Sequence, residues 1–504
     1  MFRIFGPPGT GKTTTLLNMV DKALEQGVHP HRIAFLAFTK KAATEAKERA
    51  AQRFNLDPKK DLMFFRTLHS LALTMSDIRP EQVMQPENYR ELGNVIGISL
   101  NESKIQAMDD IQDLVSTSDP ILGLINLTRL KKSDLRTEYN RSNLEQDWNT
   151  IKYVDECLRE YKTNLGLYDF TDMLQEFVNQ SGKYCPKFDL CFLDEAQDLS
   201  ALQWDIAHIL DDNSDRMYAA GDDDQAIYRW AGADVDHFIN LPGGSETLSQ
   251  SFRVPRQVHT IAEGVVRRIT RRFPKRYEPK DEPGNVTRID TITGLDMSQG
   301  TWLILSQAGY QLNPVAADLR SSGYLFNYRG HRSISEKISE AVNGWEQMRQ
   351  GKEITGDVAR KIYSFMSIGD RVKRGFKKLP SLQDDDLVSM ADLTEKHGLL
   401  ATDDMLWSEA MNKLPETDRA YITALLRRKE KFNGIPRITA STIHGAKGGE
   451  AENVVLFTDI SPAADEEMRR NPDDMHRVFY VGVTRTKQNL YIVEPEDVSR
   501  SYDL

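Results

Sequence analysis

Eight residues near the start of the chain, Gly6-Pro7-Pro8-Gly9-Thr10-Gly11-Lys12-Thr13, constrain the fold more than any other stretch. They complete the pattern G-x-x-x-x-G-K-[ST], with the apolar run Met1-Phe-Arg-Ile-Phe5 before them and a helical stretch after them. A strand, a glycine-rich turn and a helix start in that order form a phosphate-binding loop. The glycines let backbone N–H groups close around phosphates, and the helix beginning near Lys12 points its positive end at them. Gly6, Pro7, Gly9, Thr10, Gly11, Lys12, Thr13 and Thr14 are therefore the expected nucleotide-binding residues. Lys12 is expected to reach the β- and γ-phosphates, and the Thr13 hydroxyl to ligate Mg²⁺. The loop specifies what is consumed and leaves open what is driven.

A chain of 504 residues exceeds one core, so several domains are expected. With 39% hydrophobic and 28% charged residues, the composition is that of a soluble globular protein, and no apolar stretch reaches the length of a membrane span. Cys157, Cys185 and Cys191 show no paired spacing, which argues against disulfides and zinc and fits a reducing cytoplasm. A net charge of −10 argues against indiscriminate coating of nucleic acid but leaves room for a local basic track.

Residues 1–72 alternate between strand-like and helical runs, with strands at 2–5 and 33–38 and helices from about 12 to 26 and from Lys40. That alternation predicts a parallel sheet with helices on both faces. Residues 73–164 change to helical periodicity. The α/β pattern resumes with Asp189-Leu-Cys-Phe-Leu-Asp194 and Arg216-Met-Tyr-Ala-Ala-Gly-Asp222. A second α/β region is expected from 246, with strands in Thr301-Trp-Leu-Ile-Leu, Ile438-Thr-Ala-Ser-Thr442, Asn453-Val-Val-Leu-Phe and Leu490-Tyr-Ile-Val, interrupted by a charge-rich helical segment at 370–433. The expected plan is α/β: one core from 1–72 and 165–245, a second from 246–369 and 434–504, and a helical insertion in each.

The strand ending Phe192-Leu193-Asp194-Glu195 carries the paired carboxylates that a P-loop ATPase needs opposite its lysine. Asp194 is the expected metal ligand and Glu195 the general base for the attacking water.

With Asp194-Glu-Ala-Gln-Asp198 the sequence resembles motif II of the UvrD/Rep-type superfamily 1 helicases. Gly221-Asp-Asp-Asp-Gln-Ala-Ile-Tyr-Arg-Trp230 is similar to their motif III, Leu248-Ser-Gln-Ser-Phe-Arg253 to motif IV, and Ser441-Thr-Ile-His-Gly-Ala-Lys-Gly-Gly-Glu450 to motif V. Tyr480-Val-Gly-Val-Thr-Arg485 resembles motif VI, Ala37-Phe-Thr-Lys-Lys-Ala-Ala43 motif Ia, and Thr67-Leu-His-Ser-Leu-Ala72 the short motif that follows it.

The resemblance implies two RecA-like domains with an ATP site between them. Gln225 would sense the γ-phosphate, Arg253 and Arg485 would reach in from the second domain as arginine fingers, and Glu450 would contact the ribose side. A guanidinium suits a transition state that spreads negative charge over phosphoryl oxygens. The resemblance also implies a single-stranded DNA track. Phe38, Tyr228 and Trp230 would stack on bases, and Thr39, His69, Thr442 and His444 would line the track; stacking tolerates any base. Two basic clusters, at 267–276 and 371–378, either hold phosphates or form solvated faces.

Some features depart from the family. Only five residues precede Gly6, where relatives carry an adenine-reading glutamine; Phe252, where the family usually has tyrosine, is expected to stack on the base, and relaxed base selectivity is expected. Ala231 stands where relatives often have arginine. The insertion at 370–433 is short, and no nuclease domain or partner-binding tail is expected after motif VI. The resulting expectation is a cytoplasmic, monomeric, ATP- and Mg²⁺-dependent translocase on single-stranded DNA and strand junctions, with 3′→5′ helicase activity and no membrane association. An ATP-gated DNA-binding or remodelling module that does not unwind processively is the alternative.

Overall fold

The apolar run ahead of the glycine-rich loop is strand β1 (Phe2–Phe5), which is buried beyond its first residue. It belongs to a six-stranded sheet with β2 (Ile33–Ala37), β3 (Phe65–Thr67), β4 (Phe188–Leu193), β5 (Ser214–Gly221) and β6 (Ser245–Thr247). The order is β3-β2-β4-β5-β1-β6, and the described pairings are parallel. Runs such as Ile33-Ala-Phe-Leu-Ala37, buried throughout, suit a sheet covered on both faces. Ile4, Leu16, Val20, Phe35, Phe65 and Phe192 fill the space between sheet and helices. In such a sheet the crevice for a ligand lies beyond the carboxyl ends of the strands. Gly6 and Asp194 both emerge there: the Gly6 amide donates to the Gly221 carbonyl at 2.9 Å, and the Asp194 amide to that of Leu36 at 2.8 Å.

These observations come from a computed structural model that describes residues 1–37, 40–100, 119–180, 183–431, 434–495 and 497–504. The chain divides into two units, Met1–Pro283 with Glu466–Thr484, and Gly284–Asp465 with Arg485–Leu504. The division differs from the boundary expected at 246. Strand β6 joins the first sheet beside β1. The next strand, β7 (Gln250–Pro255), is stitched to the glycine-rich loop: the Phe252 amide donates to the Gly9 carbonyl at 2.8 Å and the Ser251 hydroxyl to that of Pro8 at 2.7 Å. It pairs in parallel with β8 (Glu278–Lys280). The helix Pro472–Val483, expected in the second core, also belongs to the first unit, where it packs on the helix Arg256–Val266.

The first insertion is helical. Pro86–Ile96, Pro120–Lys131, Leu135–Arg141 and Trp148–Leu165 surround a separate core that includes Tyr89, Leu92, Ile125, Ile151, Val154 and Leu158. Residues 101–118 of the expected insertion lie outside the described residues.

In the second unit, β9 (Asn285–Ile289), β10 (Trp302–Ser306), β11 (Phe326–Tyr328) and β12 (His331–Arg332) precede a small antiparallel pair, β13 (Ile354–Thr355) with β14 (Leu387–Val388). Strands β15 (Ile438–Thr442), β16 (Ala451–Phe457) and β17 (Thr486–Val493) complete a seven-stranded sheet in the order β12-β11-β15-β10-β16-β17-β9. The β11–β12 pairing is antiparallel and the other described pairings are parallel. Among the described residues, the segment expected as a second insertion shares its core with the sheet. Val372, Leu382, Trp407 and Leu425 share one cluster with the sheet residues Ile304, Ile438 and Val455. Its strand β14 pairs with β13, which lies outside the expected bounds. Apolar residues interspersed among the charges explain why this segment folds onto the sheet as a layer. No helix among the described residues is long and apolar enough to cross a membrane.

Candidate active site

The glycine-rich loop ends in Gly11, whose φ of 75° caps the helix Lys12–Glu25. Gly9, at φ 73°, is required for a second reason: a Cβ there would lie 2.4 Å from Arg253 Cβ and 2.9 Å from Ser251 Oγ. The loop is thus pressed against β7, and a side chain at position 9 would drive the two apart.

Lys12 and Thr13 meet the acidic pair at the end of β4. Lys12 Nζ donates to Glu195 Oε1 at 2.8 Å and lies 3.9 Å from Asp194 Oδ1. The Thr13 hydroxyl donates to Asp194 Oδ2 at 2.6 Å. Burial by itself would depress the Lys12 ammonium, but Glu195 and Asp194 hold it above its ordinary value. Burial pushes the Asp194 carboxyl up, with the neighbouring Glu195 charge adding to the rise and Lys12 opposing it. Glu195 has a left-handed backbone, φ 56°, rare for a residue with a side chain and costing about 1–3 kcal/mol. Its carboxylate is gripped at both oxygens, since Gln197 Nε2 donates to Oε2 at 2.6 Å.

Gln197 extends the chain of contacts to the next strand. Its Oε1 accepts from the Asp222 amide at 2.9 Å, and Asp222 Oδ2 accepts from Gln225 Nε2 at 2.6 Å. Gly221 permits the approach, because a Cβ there would meet Gln197 Oε1 at 2.5 Å. The loop lysine, the acidic pair and Gln225 therefore belong to one network within the first unit. Sequence reasoning included Gln197 and Asp222 in motifs but gave neither a role; bridging residues are recognised only once β4 and β5 are neighbours.

The donor set fits the expected metal. A hydroxyl and a carboxylate in contact are hard oxygen ligands suited to Mg²⁺, which usually takes one or two protein groups and completes its shell with water and substrate phosphates. Among the described residues no group of three or more His, Cys, Asp or Glu is arranged to hold a metal.

Arg253 follows the loop-stitching residues of β7, so it comes from the same unit as the P-loop and not from the second, as its expected role required. Phe252 beside it is 75% exposed, an apolar ring free to cover a flat ligand. Arg485 and Glu450 are in the second unit. Arg485 is buried, with Nη1 donating to the Gly449 carbonyl at 3.3 Å, and Glu450 pairs with Lys487 at 2.5 Å.

The expected DNA residues separate by exposure. Trp230 is 46% exposed, whereas Tyr228 and His69 are buried in the first unit and present no ring to solvent. Among the described residues His69 Nε2 has no hydrogen-bond partner, and burial lowers its pKa to about 4. Thr442 and His444 are half-buried in the second unit, with Thr442 Oγ1 accepting from the Gly445 amide. Phe38 and Thr39 lie outside the described residues.

Neither basic cluster is simply a solvated face. Lys275 and Arg272 are engaged by Asp222, Asp223 and Asp224. Lys377 donates to the carbonyls of Tyr363, Ser364 and Met366 at the end of the helix Gly356–Ser364.

The sequence of this chain is similar to helicase sequences. The family model described as the UvrD/REP helicase N-terminal domain matches residues 2–243, and that of the UvrD-like helicase C-terminal domain matches residues 437–493. The chain is 24% identical over 298 residues, 56% of its own length and 39% of the relative's, to the ATP-dependent DNA helicase PcrA of Leuconostoc citreum. The same identity over 298 residues, 54% of this chain and 38% of the relative, relates it to the ATP-dependent DNA helicase PcrA of Staphylococcus aureus strain Mu50. The matched stretch thus spans about two fifths of the length of these curated relatives.

Proposed function

Because this chain belongs to the UvrD/Rep-type superfamily 1 helicases, whose domains are RecA-like P-loop folds, we propose that it hydrolyses ATP with Mg²⁺ to move along single-stranded DNA and separate duplexes with 3′→5′ polarity. It acts as a monomer in the cytoplasm on single strands and their junctions with duplex. The observation that carries the reading is the continuous path from Lys12 through Glu195, Gln197 and Asp222 to Gln225.

In this mechanism the phosphates of ATP take the place of Glu195 as partners of Lys12. The freed Glu195 oxygen then accepts a proton from the attacking water, while Gln197 keeps the carboxylate oriented. Thr13 and Asp194 would hold Mg²⁺, which would supply positive charge against the phosphates of the nucleotide. Gln225 contacts the γ-phosphate, and its loop continues directly into Tyr228-Arg229-Trp230. Trp230 stacks on a base, so occupancy of the DNA face and of the nucleotide face bears on one short segment. Arg485, Glu450, Thr442 and His444 retain the roles that the sequence resemblance implies, while Arg253 acts on the phosphates from the P-loop's own unit.

The test is unwinding of a short duplex with either a 3′ or a 5′ single-stranded tail, with ATP hydrolysis followed in the same reaction. Displacement confined to the 3′-tailed duplex is expected. Displacement confined to the 5′ tail would overturn the polarity. DNA-stimulated hydrolysis without displacement from either tail would replace the helicase by a translocase or remodelling module. Normal DNA-stimulated hydrolysis in Glu195→Gln would overturn the site.

A further inference from the structure

The segment after the helix Arg256–Val266 returns to the end of β5 and inserts one ammonium among three consecutive carboxylates. Lys275 Nζ lies 2.6 Å from Asp223 Oδ1, 2.7 Å from Asp224 Oδ2 and 3.0 Å from Asp222 Oδ1. An ammonium has three N–H donors, and here each has an acceptor. The side chain is 1% exposed, so it offers no charge to DNA phosphates or to solvent. Arg272 grips Asp224 through two parallel hydrogen bonds of 2.7 and 2.6 Å, and the Phe273 amide donates to Asp223 Oδ2 at 2.7 Å. Phe273 also stacks on Phe5, the residue before the glycine-rich loop, with centroids 4.0 Å apart and planes 7° from parallel.

Neutralising buried carboxylates explains the presence of a cation, but not the particular bond to Asp222. That carboxylate has a second task. Its Oδ1 faces Lys275 and its Oδ2 accepts from Gln225 Nε2. A carboxylate free to rotate would let the amide swing, and an amide that must contact a γ-phosphate only as charge develops loses its effect when misplaced by as little as 1 Å. The opposite edge of the same loop is fixed by Arg477, fully buried, which donates to the Asp223 carbonyl at 2.9 Å.

We propose that Lys275 is a positioning residue for hydrolysis, fixing Asp222 and through it the Gln225 amide. The inference rests on the reading of Gln225 as the γ-phosphate contact. Lys275 supplies orientation and takes no part in bond making; the loop's own donors and acceptors transmit its effect.

The experiment measures kcat and KM for ATP with saturating single-stranded DNA, together with the melting temperature, in Lys275→Arg, Gln225→Ala and the double variant. Lys275→Arg keeps the charge that the carboxylates need but displaces the donor. The expected result is a kcat lower by about 10²-fold with KM within about twofold, the pattern of a contact realised in the transition state. On the Gln225→Ala background the same substitution is expected to cause no further fall. Should Lys275→Arg not fold, Lys275→Met with Asp223→Asn removes the same contact without changing net charge and serves in its place. Arg272→Met, which breaks the neighbouring brace on Asp224, is expected to lower the melting temperature and leave kcat intact. An unchanged kcat in a folded Lys275 variant, with Gln225→Ala impaired, overturns this inference alone. An equal fall with and without Gln225 assigns Lys275 a structural role and also overturns it. An unimpaired Gln225→Ala overturns the underlying reading of that residue.

Discussion

Lys12 and Lys275 are both lysines set among carboxylates inside the first unit, and they differ in what they have left to give. Burial would depress both ammoniums, and in both the surrounding acids win and raise them. Lys12 makes one short contact, to Glu195, and a longer one to Asp194, and its side chain remains 11% exposed beyond the carboxyl ends of the strands. Lys275 spends all three donors on three aspartates. Lys12 can therefore exchange a carboxylate for an incoming phosphate at little cost, whereas Lys275 has nothing to exchange. Charge and burial look alike in the two cases; donor saturation separates a group that meets substrate from one that braces the structure.

The sharpest break between the two is catalytic. Lys12→Ala is expected to lower the DNA-stimulated kcat by about 10³–10⁵-fold, the range for losing a cation from a phosphoryl-transfer site, while the melting temperature stays within a few degrees. A steady-state assay alongside a thermal melt checks this; a large fall in melting temperature would make Lys12 a brace as well. Stability reverses the ranking. Lys275→Ala removes the one ammonium that three carboxylates share and is expected to cost about 3–5 kcal/mol in urea denaturation, as when one partner of a buried pair is removed, and Asp223→Asn in the same chain should restore part of it. A loss below about 1 kcal/mol would mean the carboxylates find water.

His69 supplies the case of burial with no counter-charge. Its folded pKa, about 4, lies below the ordinary value of 6.5 because burial disfavours the imidazolium. The stability it contributes is therefore complete above pH 6.5 and lost as pH falls through 4, about 3 kcal/mol in all. His69→Leu should flatten the dependence of unfolding free energy on pH in that window, and an unchanged slope would show that His69 is not the responsible group. The smallest effect is on ligand stabilisation. Mg²⁺-ATP at about one hundred times its Kd should stabilise the wild type by about 2.7 kcal/mol. That gain should vanish in Lys12→Ala and persist in Lys275→Arg; its loss in both would erase the distinction.

The sequence was most legible where function is written contiguously. Gly6 to Thr13, Asp194-Glu195 and the strands β1, β4, β10, β15 and β16 can be read from short windows, because backbone geometry and phosphate chemistry demand particular residues at fixed spacing. Lys275 was visible only as one member of a basic run, since its partners precede it by some fifty residues and meet it through tertiary packing. The same reason hid the extent of the first unit. Nothing local to Ser251 and Phe252 indicates that they bond to Pro8 and Gly9, so the expected boundary fell ahead of them. Tyr228 and His69 illustrate the converse: a motif fixes residue identity, but exposure depends on what packs over it.

The order of the chain imposes a timetable on its own synthesis. Strand β1 leaves the ribosome before the other strands of its sheet, yet its neighbours there are β5 and β6, more than two hundred residues later. The helix bearing Arg477 arrives later still, after nearly all of the second unit has been made. Translation proceeds at roughly 5–20 residues per second. The nascent chain therefore carries its glycine-rich loop for tens of seconds before the last support of the loop at Asp223 exists. A product truncated at Pro283 would possess Lys12 with its partners Asp194 and Glu195 and still lack that support, which is supplied only by the helix Pro472–Val483.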